Sequence, residues 1–292
     1  MLERANKPAE RGRSVNRRQC VAQVLVLGVA GAVLLASPAL AQDCPELAGQ
    51  WPYGPAHAVA VSGNYAYFGS GAALLVADVS IPAALHVVGD VTLPGVVHGV
   101  AVSGSYAYVA GTGLHVVDVS TPSAPVEVGS VDTPGWAEGV AVAGGYAYVA
   151  DDHAGLRVID VTTPSAPIEV GFVDTPGSAL DVAVAGLYAF VADDYAGLRV
   201  IDVSTPSAPV EVGSVDIPNW AVGVAVSGGY AYVAGSYAVR VIDVSTPSAP
   251  VEVGSVDSPG YALGVAVSGS YVYVAGTGLH VVDVSTPSAP VE

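Results

Sequence analysis

One unit recurs six times along this chain. The first tyrosine of a Tyr-x-Tyr or Tyr-x-Phe motif falls at residues 65, 106, 146, 188, 230 and 271, at spacings of 41, 40, 42, 42 and 41. A strand-like unit with a period in the low forties builds either a propeller blade or a coil of a β-solenoid. In the third copy, Gly139 to Val142, Tyr146 to Ala150, Leu156 to Val161 and Ile168 to Val173 read as four short strands. Gly144-Gly145, Asp151 to Gly155 and Thr162 to Pro167 separate them with residues that stop strands. Four short strands per unit favour the propeller, because a solenoid coil of this length carries fewer and longer ones.

The third strands read Leu74-Leu75-Val76-Ala77-Asp78, Leu114-His115-Val116-Val117-Asp118, Leu156-Arg157-Val158-Ile159-Asp160, Leu198-Arg199-Val200-Ile201-Asp202, Val239-Arg240-Val241-Ile242-Asp243 and Leu279-His280-Val281-Val282-Asp283. Together with the flanking A-V-S-G-x-Y-A-Y-V-A and D-V-S-T-P-S-A-P-V-E-V-G segments, they resemble the LVIVD repeat of bacterial and archaeal surface proteins. The resemblance covers nearly all of residues 44 to 292. It implies a β-propeller at the cell surface and carries no general activity. The second letter departs from the family's name, being His or Arg in five copies. Alternate strand positions point to opposite faces, so the fold is unaffected.

The last copy stops at Val291-Glu292, where its fourth strand should begin, while Glu46 to Gly54 matches Glu127 to Gly135. The expectation is an all-β, six-bladed β-propeller of four-stranded blades, with the ring closed by residues 46–51 completing the last blade. Residues 46–292 then give 41.2 residues per blade. An incomplete gene model ending at 292 is the competing reading.

Ahead of the repeats, six of the chain's nine cations fall within the first eighteen residues, followed by the apolar run Val24 to Ala36 and by Ser37-Pro38-Ala39-Leu40-Ala41. This reads as a secretory signal peptide over 1–41, leaving a propeller domain over 42–292. An uncleaved anchor is the rival, and Arg17-Arg18 leaves the export route open. The product is expected outside the cytoplasm, whether secreted, periplasmic or on the cell surface, and is not inserted in a membrane once cleaved. Cys44 is then the single thiol of the mature chain, so no intrachain disulfide forms.

From residue 42 onward, Arg157, Arg199 and Arg240 are the only Lys or Arg residues against 24 carboxylates, a balance of −21. Such a surface repels phosphate, which excludes nucleic-acid binding through a basic footprint and electrostatic docking on anionic lipid. A cationic or neutral ligand is the expectation.

In an antiparallel blade the fourth-to-first and second-to-third connections share one face of the disc. These connections vary among the six copies, whereas the first-to-second turns and STPSAP connections on the other face hardly do. Variable loops over a fixed scaffold are where specificity is built. Leading into the innermost strand on the variable face, one column reads Pro55, Val96, Trp136, Ser178, Trp220, Tyr261. Trp136, Trp220 and Tyr261 suit stacking against a sugar ring or peptide side chain, with packing beneath the loops as the bland alternative. Two residues later the column reads His57, His98, Glu138, Leu180, Val222, Leu263, with Asp181 one position along. Two imidazoles and a carboxylate at the channel mouth are a candidate ligand set for zinc or another divalent metal, against a plain hydrated lining.

Asp151-Asp152 and Asp193-Asp194 raise calcium but lack D-x-D-x-D-G spacing, and Arg157 and Arg199 are placed to neutralise them. The repeated Asp78, Asp118, Asp160, Asp202, Asp243 and Asp283 are expected to fix a turn, since a catalytic site needs one constellation and not six. No G-x-S-x-G, no phosphate-cradling glycine loop and no C-x-x-C occurs. The leading expectation is a monomeric binding module for a protein, peptide or glycan, without catalysis. The alternative is a metal-dependent propeller hydrolase or lyase at the channel mouth, and a purely structural surface module is a third class.

Overall fold

The computed structural model describes residues 56–258 and 260–292. The leader, both cysteines and the strand expected over 46–51 lie outside the described residues. Six antiparallel sheets follow one another along the chain, five of them four-stranded. Blade one comprises Val59–Ser62, Tyr65–Ser70, Ala73–Asp78 and His86–Thr92. Blade three comprises Gly139–Ala143, Tyr146–Ala150, Leu156–Asp160 and Ile168–Val173, matching the sequence expectation to within a residue. Blade six shows Ala262–Ser268, Tyr271–Gly276 and Leu279–Asp283, and Val291 begins a fourth row by bridging Asp283. The inner strands stand side by side in blade order: Val59–Ser62, Gly99–Ser103, Gly139–Ala143, Asp181–Ala185, Gly223–Ser227, Ala262–Ser268.

The third strands carry large apolar side chains on both faces because both faces are covered. Leu156 and Val158 are fully buried against Ala179, Val182, Val191 and Ile201 of the next blade. Ile159 points the other way and packs with Tyr108, Leu114 and Val116 of the preceding one. Each such side chain contributes about 1.5–3 kcal/mol on burial. The second aromatic of the motif in blades one to five (Tyr67, Tyr108, Tyr148, Phe190, Tyr232) is buried in the same interfaces, and burial pushes the tyrosine hydroxyls above their ordinary pKa.

Two devices repeat around the ring. The carboxylate ending each third strand accepts the backbone N–H two residues on, at 2.8–2.9 Å in all six blades (Asp78 from Ser80 through Asp283 from Ser285). These hydrogen bonds hold the carboxyls below their ordinary range, the turn-fixing role expected of them. On the outer strands of the four-stranded blades a bulge shifts the register, as at Val170 opposite Val158 and Ile159. The glycine beside it (Gly89, Gly129, Gly171, Gly213, Gly254) lies against the proline carbonyl of the next blade's STPSAP connection, leaving no room for a Cβ.

Within the blades, the second residue of the five-residue motif that ends the third strand at Asp pairs with the glutamate that follows the first residue of the outer row. His115 meets Glu127 at 2.7 Å, Arg157 meets Glu169 and Arg199 meets Glu211 at 3.4 Å, Arg240 meets Glu252 at 2.8 Å and His280 meets Glu292 at 2.7 Å. Blade one places Leu75 and Val87 at these two positions, exchanging the whole pair for an apolar one.

Candidate functional site

Every described junction between blades carries the same hook on the variable face. The residue after the lead-in column donates its N–H to a carbonyl in the previous blade's second-to-third loop. The pairs are Val97 to Gly71, Ala137 to Gly111, Ala179 to Asp152, Ala221 to Asp194 and Ala262 to Ser236, at 2.9–3.2 Å. Asp152 and Asp194 return the bond, each from a left-handed backbone with φ of 47°, a conformation that Asp tolerates better than most residues.

Behind the hook, Asp151 and Asp193 are wholly buried. Asp151 accepts from Thr133 Oγ1 at 2.5 Å and from Gly135 N at 2.9 Å, and Asp193 accepts from Thr175 Oγ1 and Gly177 N at the same distances. Arg157 Nε and Arg199 Nε approach them at 3.7 and 3.5 Å. Burial pushes the Asp151 carboxyl up, against its hydrogen bonds and Arg157. These carboxylates thus tie two loops together with their oxygens occupied by protein donors.

Because the hook joins each loop to the next blade's lead-in, the loop-tip side chain leans on the lead-in side chain. His153 Nδ1 lies 3.0 Å from Ser178 Oγ. Tyr195 meets Trp220 edge to face, with centroids 5.8 Å apart and planes at 89°. Tyr237 meets Tyr261 at 4.8 Å and 32°, and Trp220 and Tyr261 lie nearly parallel at 13°, 6.2 Å apart. Tyr195, Trp220, Tyr261 and Tyr237 therefore form one continuous aromatic patch across blades four to six. They remain 71, 37, 44 and 55% exposed. Trp136, in blade three, is exposed as well.

Trp220 and Tyr261 were singled out by the lead-in column, whereas Tyr195 and Tyr237 were not. The loop-tip column (His153, Tyr195, Tyr237) carried a signal of its own. It becomes informative once the loops are known to cross into the next blade.

At the channel mouth, His98 Nδ1 and Glu138 Oε2 from adjacent blades are 2.7 Å apart, both partly exposed. His57 holds the same position in blade one and is exposed. Among the described residues no three His, Cys, Asp or Glu side chains are gathered as a metal's ligand set. Leu180, Val222 and Leu263 continue the lining with apolar groups.

Asp181 stands where the other blades have Ala58 or glycine, and the crowding there explains the small residues. A Cβ on Gly99 would meet Glu138 O at 2.8 Å, one on Gly139 would meet Asp181 Cα at 2.8 Å, and one on Gly223 would meet Gly264 Cα at 3.2 Å. Antiparallel pairing leaves alternate N–H groups on the free edge of an inner strand. Asp181 takes two of them, from Val182 to Oδ1 and from Val224 of the next blade to Oδ2, each at 2.9 Å. The carboxyl is pushed up to about 6 by desolvation, which outweighs these two bonds.

A family model described as "LVIVD repeat" matches residues 53–92, 94–133, 134–175, 176–217, 220–258 and 259–292. The comparison with curated proteins gives no match. Solved structures share the architecture at low identity. A functionally unknown protein from Desulfotomaculum acetoxidans DSM 771 has a TM-score of 0.67 and 14% identity over 83% of this chain and 86% of that one. The β-propeller domain of Cps50 (Swd1) from Myceliophteria thermophila has a TM-score of 0.62 and 14% identity over 76% and 79%. The computationally designed Ika8 protein has a TM-score of 0.62 and 12% identity over 80% and 72%. At these identities the likeness concerns the fold alone.

Proposed function

The chain belongs to the LVIVD-repeat family, and on that premise we propose that it is an exported propeller that binds a protein, peptide or glycan through its variable face, without catalysis. The observation that carries this reading is the exposed aromatic patch Tyr195–Trp220–Tyr261–Tyr237. A soluble monomer scatters exposed aromatics singly, and a contiguous group on variable loops is the usual sign of a contact surface. Export rests on the leader read from residues 1–41.

A glycan and peptide array probed with the full mature chain, the Trp220→Ala variant and the Trp136→Ala variant tests the reading. At least one ligand class should bind and lose signal in Trp220→Ala. An array without any ligand sensitive to either tryptophan removes the assignment of this face. The His98–Glu138 pair is the foothold of the alternative, a metal-dependent hydrolase or lyase. Stoichiometric zinc in purified protein, lost in a His57→Ala, His98→Ala variant, would move the reading there.

A further inference from the structure

Resting on that reading, we propose that the occupant of the aromatic patch is a basic polypeptide segment, whose arginine or lysine side chains stack on Trp220 and Tyr261 and pair with Asp194, Asp216 and Asp257. The protein's own cations among the described residues are already engaged within the blades. Arg157, Arg199 and Arg240 all face glutamates of their own blades, and the first two also face Asp151 and Asp193. No lysine or arginine among the described residues is therefore free to neutralise the variable face.

Carboxylates surround the patch. Asp216 follows the outer strand of blade four (Val210–Val215) and Asp257 ends that of blade five (Val251–Asp257) on this face, and both are exposed. The Asp216 backbone lies against the loop that carries Tyr195, since a Cβ on Gly197 would meet Asp216 Cα at 3.0 Å. Ser258, next to Asp257, donates its N–H to the Tyr237 carbonyl at 2.6 Å. Asp194 adjoins Tyr195 itself. Its carboxyl is held above the ordinary range by desolvation first, with the charges of Asp193 and Asp152 adding to it, against a hydrogen bond from the Tyr195 N–H and the weaker influence of exposed His153.

Ring geometry narrows the ligand further. Centroid separations of 4.8–6.2 Å leave no slot between the rings, so a ligand lies across them and does not enter a pocket. A guanidinium plane or an ammonium gains from such faces through the ring quadrupole, and its charge is met by the flanking carboxylates. An anionic ligand is repelled there, and a neutral one leaves the carboxylates unmatched.

Fluorescence polarisation with a labelled hexa-arginine peptide and its hexa-citrulline counterpart, which keeps the planar group without the charge, is the test. Neutral hexasaccharides are titrated alongside. The arginine peptide should bind about tenfold or more tightly than the citrulline peptide, and weaken with salt. It should lose about tenfold in Trp220→Ala with Tyr261→Ala, and less in Asp194→Asn with Asp216→Asn. Arginine binding that survives loss of both rings is diffuse attraction to an acidic surface and overturns the proposal. A neutral saccharide bound in a Trp220-dependent way, with no preference for arginine, overturns it while leaving the binding function standing. Absence of any probe binding overturns the proposal, and joined to an array insensitive to both Trp136 and Trp220 it removes both readings.

Discussion

Replacing Asp181 by asparagine separates the carboxylate's charge from its shape at the most crowded level of the channel. The group titrates near 6 in the folded chain against 3.8 for an ordinary aspartate. A carboxyl whose folded pKa lies above its unfolded one binds its proton more tightly when folded. Its contribution to stability is therefore most favourable below the unfolded value and is lost as pH rises through about 6. At 1.36 kcal/mol per unit the full loss is about 3 kcal/mol, and partial exposure to channel water reduces it to about 1–2 kcal/mol.

Urea unfolding of wild type and Asp181→Asn at pH 4.5 and pH 7 measures this as a difference of differences, in which the carboxylates common to both proteins cancel. Wild type should lose about 1 kcal/mol more than the variant between the two pH values, because the part of the swing between 3.8 and 4.5 is already gone at the lower pH. The absolute stability of the variant is a separate matter, because its amide accepts one backbone N–H and turns its own NH2 toward the other. An equal pH dependence in the two proteins refutes the argument that desolvation outweighs the bonds from Val182 and Val224.

At the bulge, Gly213→Ala should cost about 1–3 kcal/mol in denaturant unfolding, since its Cβ lands on the Pro247 carbonyl of the next blade. Gly104→Ala, in a turn with φ of 60° and open space around it, should cost about 1 kcal/mol from backbone strain alone. In blade one, Leu75→Arg and Val87→Glu should each destabilise singly. Together they should recover part of the loss, with a coupling of about 0.5–1 kcal/mol in a double-mutant cycle, because these two positions correspond to those of Arg157 and Glu169, which meet across the same diagonal in blade three.

The architecture was open to inspection in the sequence because a propeller writes its core in short range. Tyr146 to Ala150 and Ile168 to Val173 are bounded by Gly and Pro turns, and both came out as strands with those ends. The six turn-fixing aspartates could be understood from Asp with Ser, or Thr in blade three, two residues on. What could not be seen was anything that depends on which blade a side chain leans toward. Tyr195 and Trp220 are 25 residues apart in separate repeats, and their contact exists because the Ala221–Asp194 hook carries the loop across the junction. His98 and Glu138 could be placed at one mouth, but their hydrogen bond depends on the close approach of inner strands at Gly99 and Gly139. Asp181 stood out as the one acidic residue in a column of small ones. That its oxygens go to backbone N–H groups of two blades is a fact of the strand edge, where the register decides which N–H groups stay unpaired.

The hook also sets the unit in which recognition can vary. A loop tip belongs to one repeat and the lead-in it rests on belongs to the next, so the heritable module and the recognising module are out of phase. Duplicating or transplanting a whole blade carries half of two contact pairs and strands a side chain at each border. A stretch running from one tip to the following inner strand, such as residues 194–222, carries a complete pair with its own hook. Diversification of this face, in nature or by design, should proceed in that offset frame, by recombination points inside the second-to-third loops, while the blades beneath keep a common grammar.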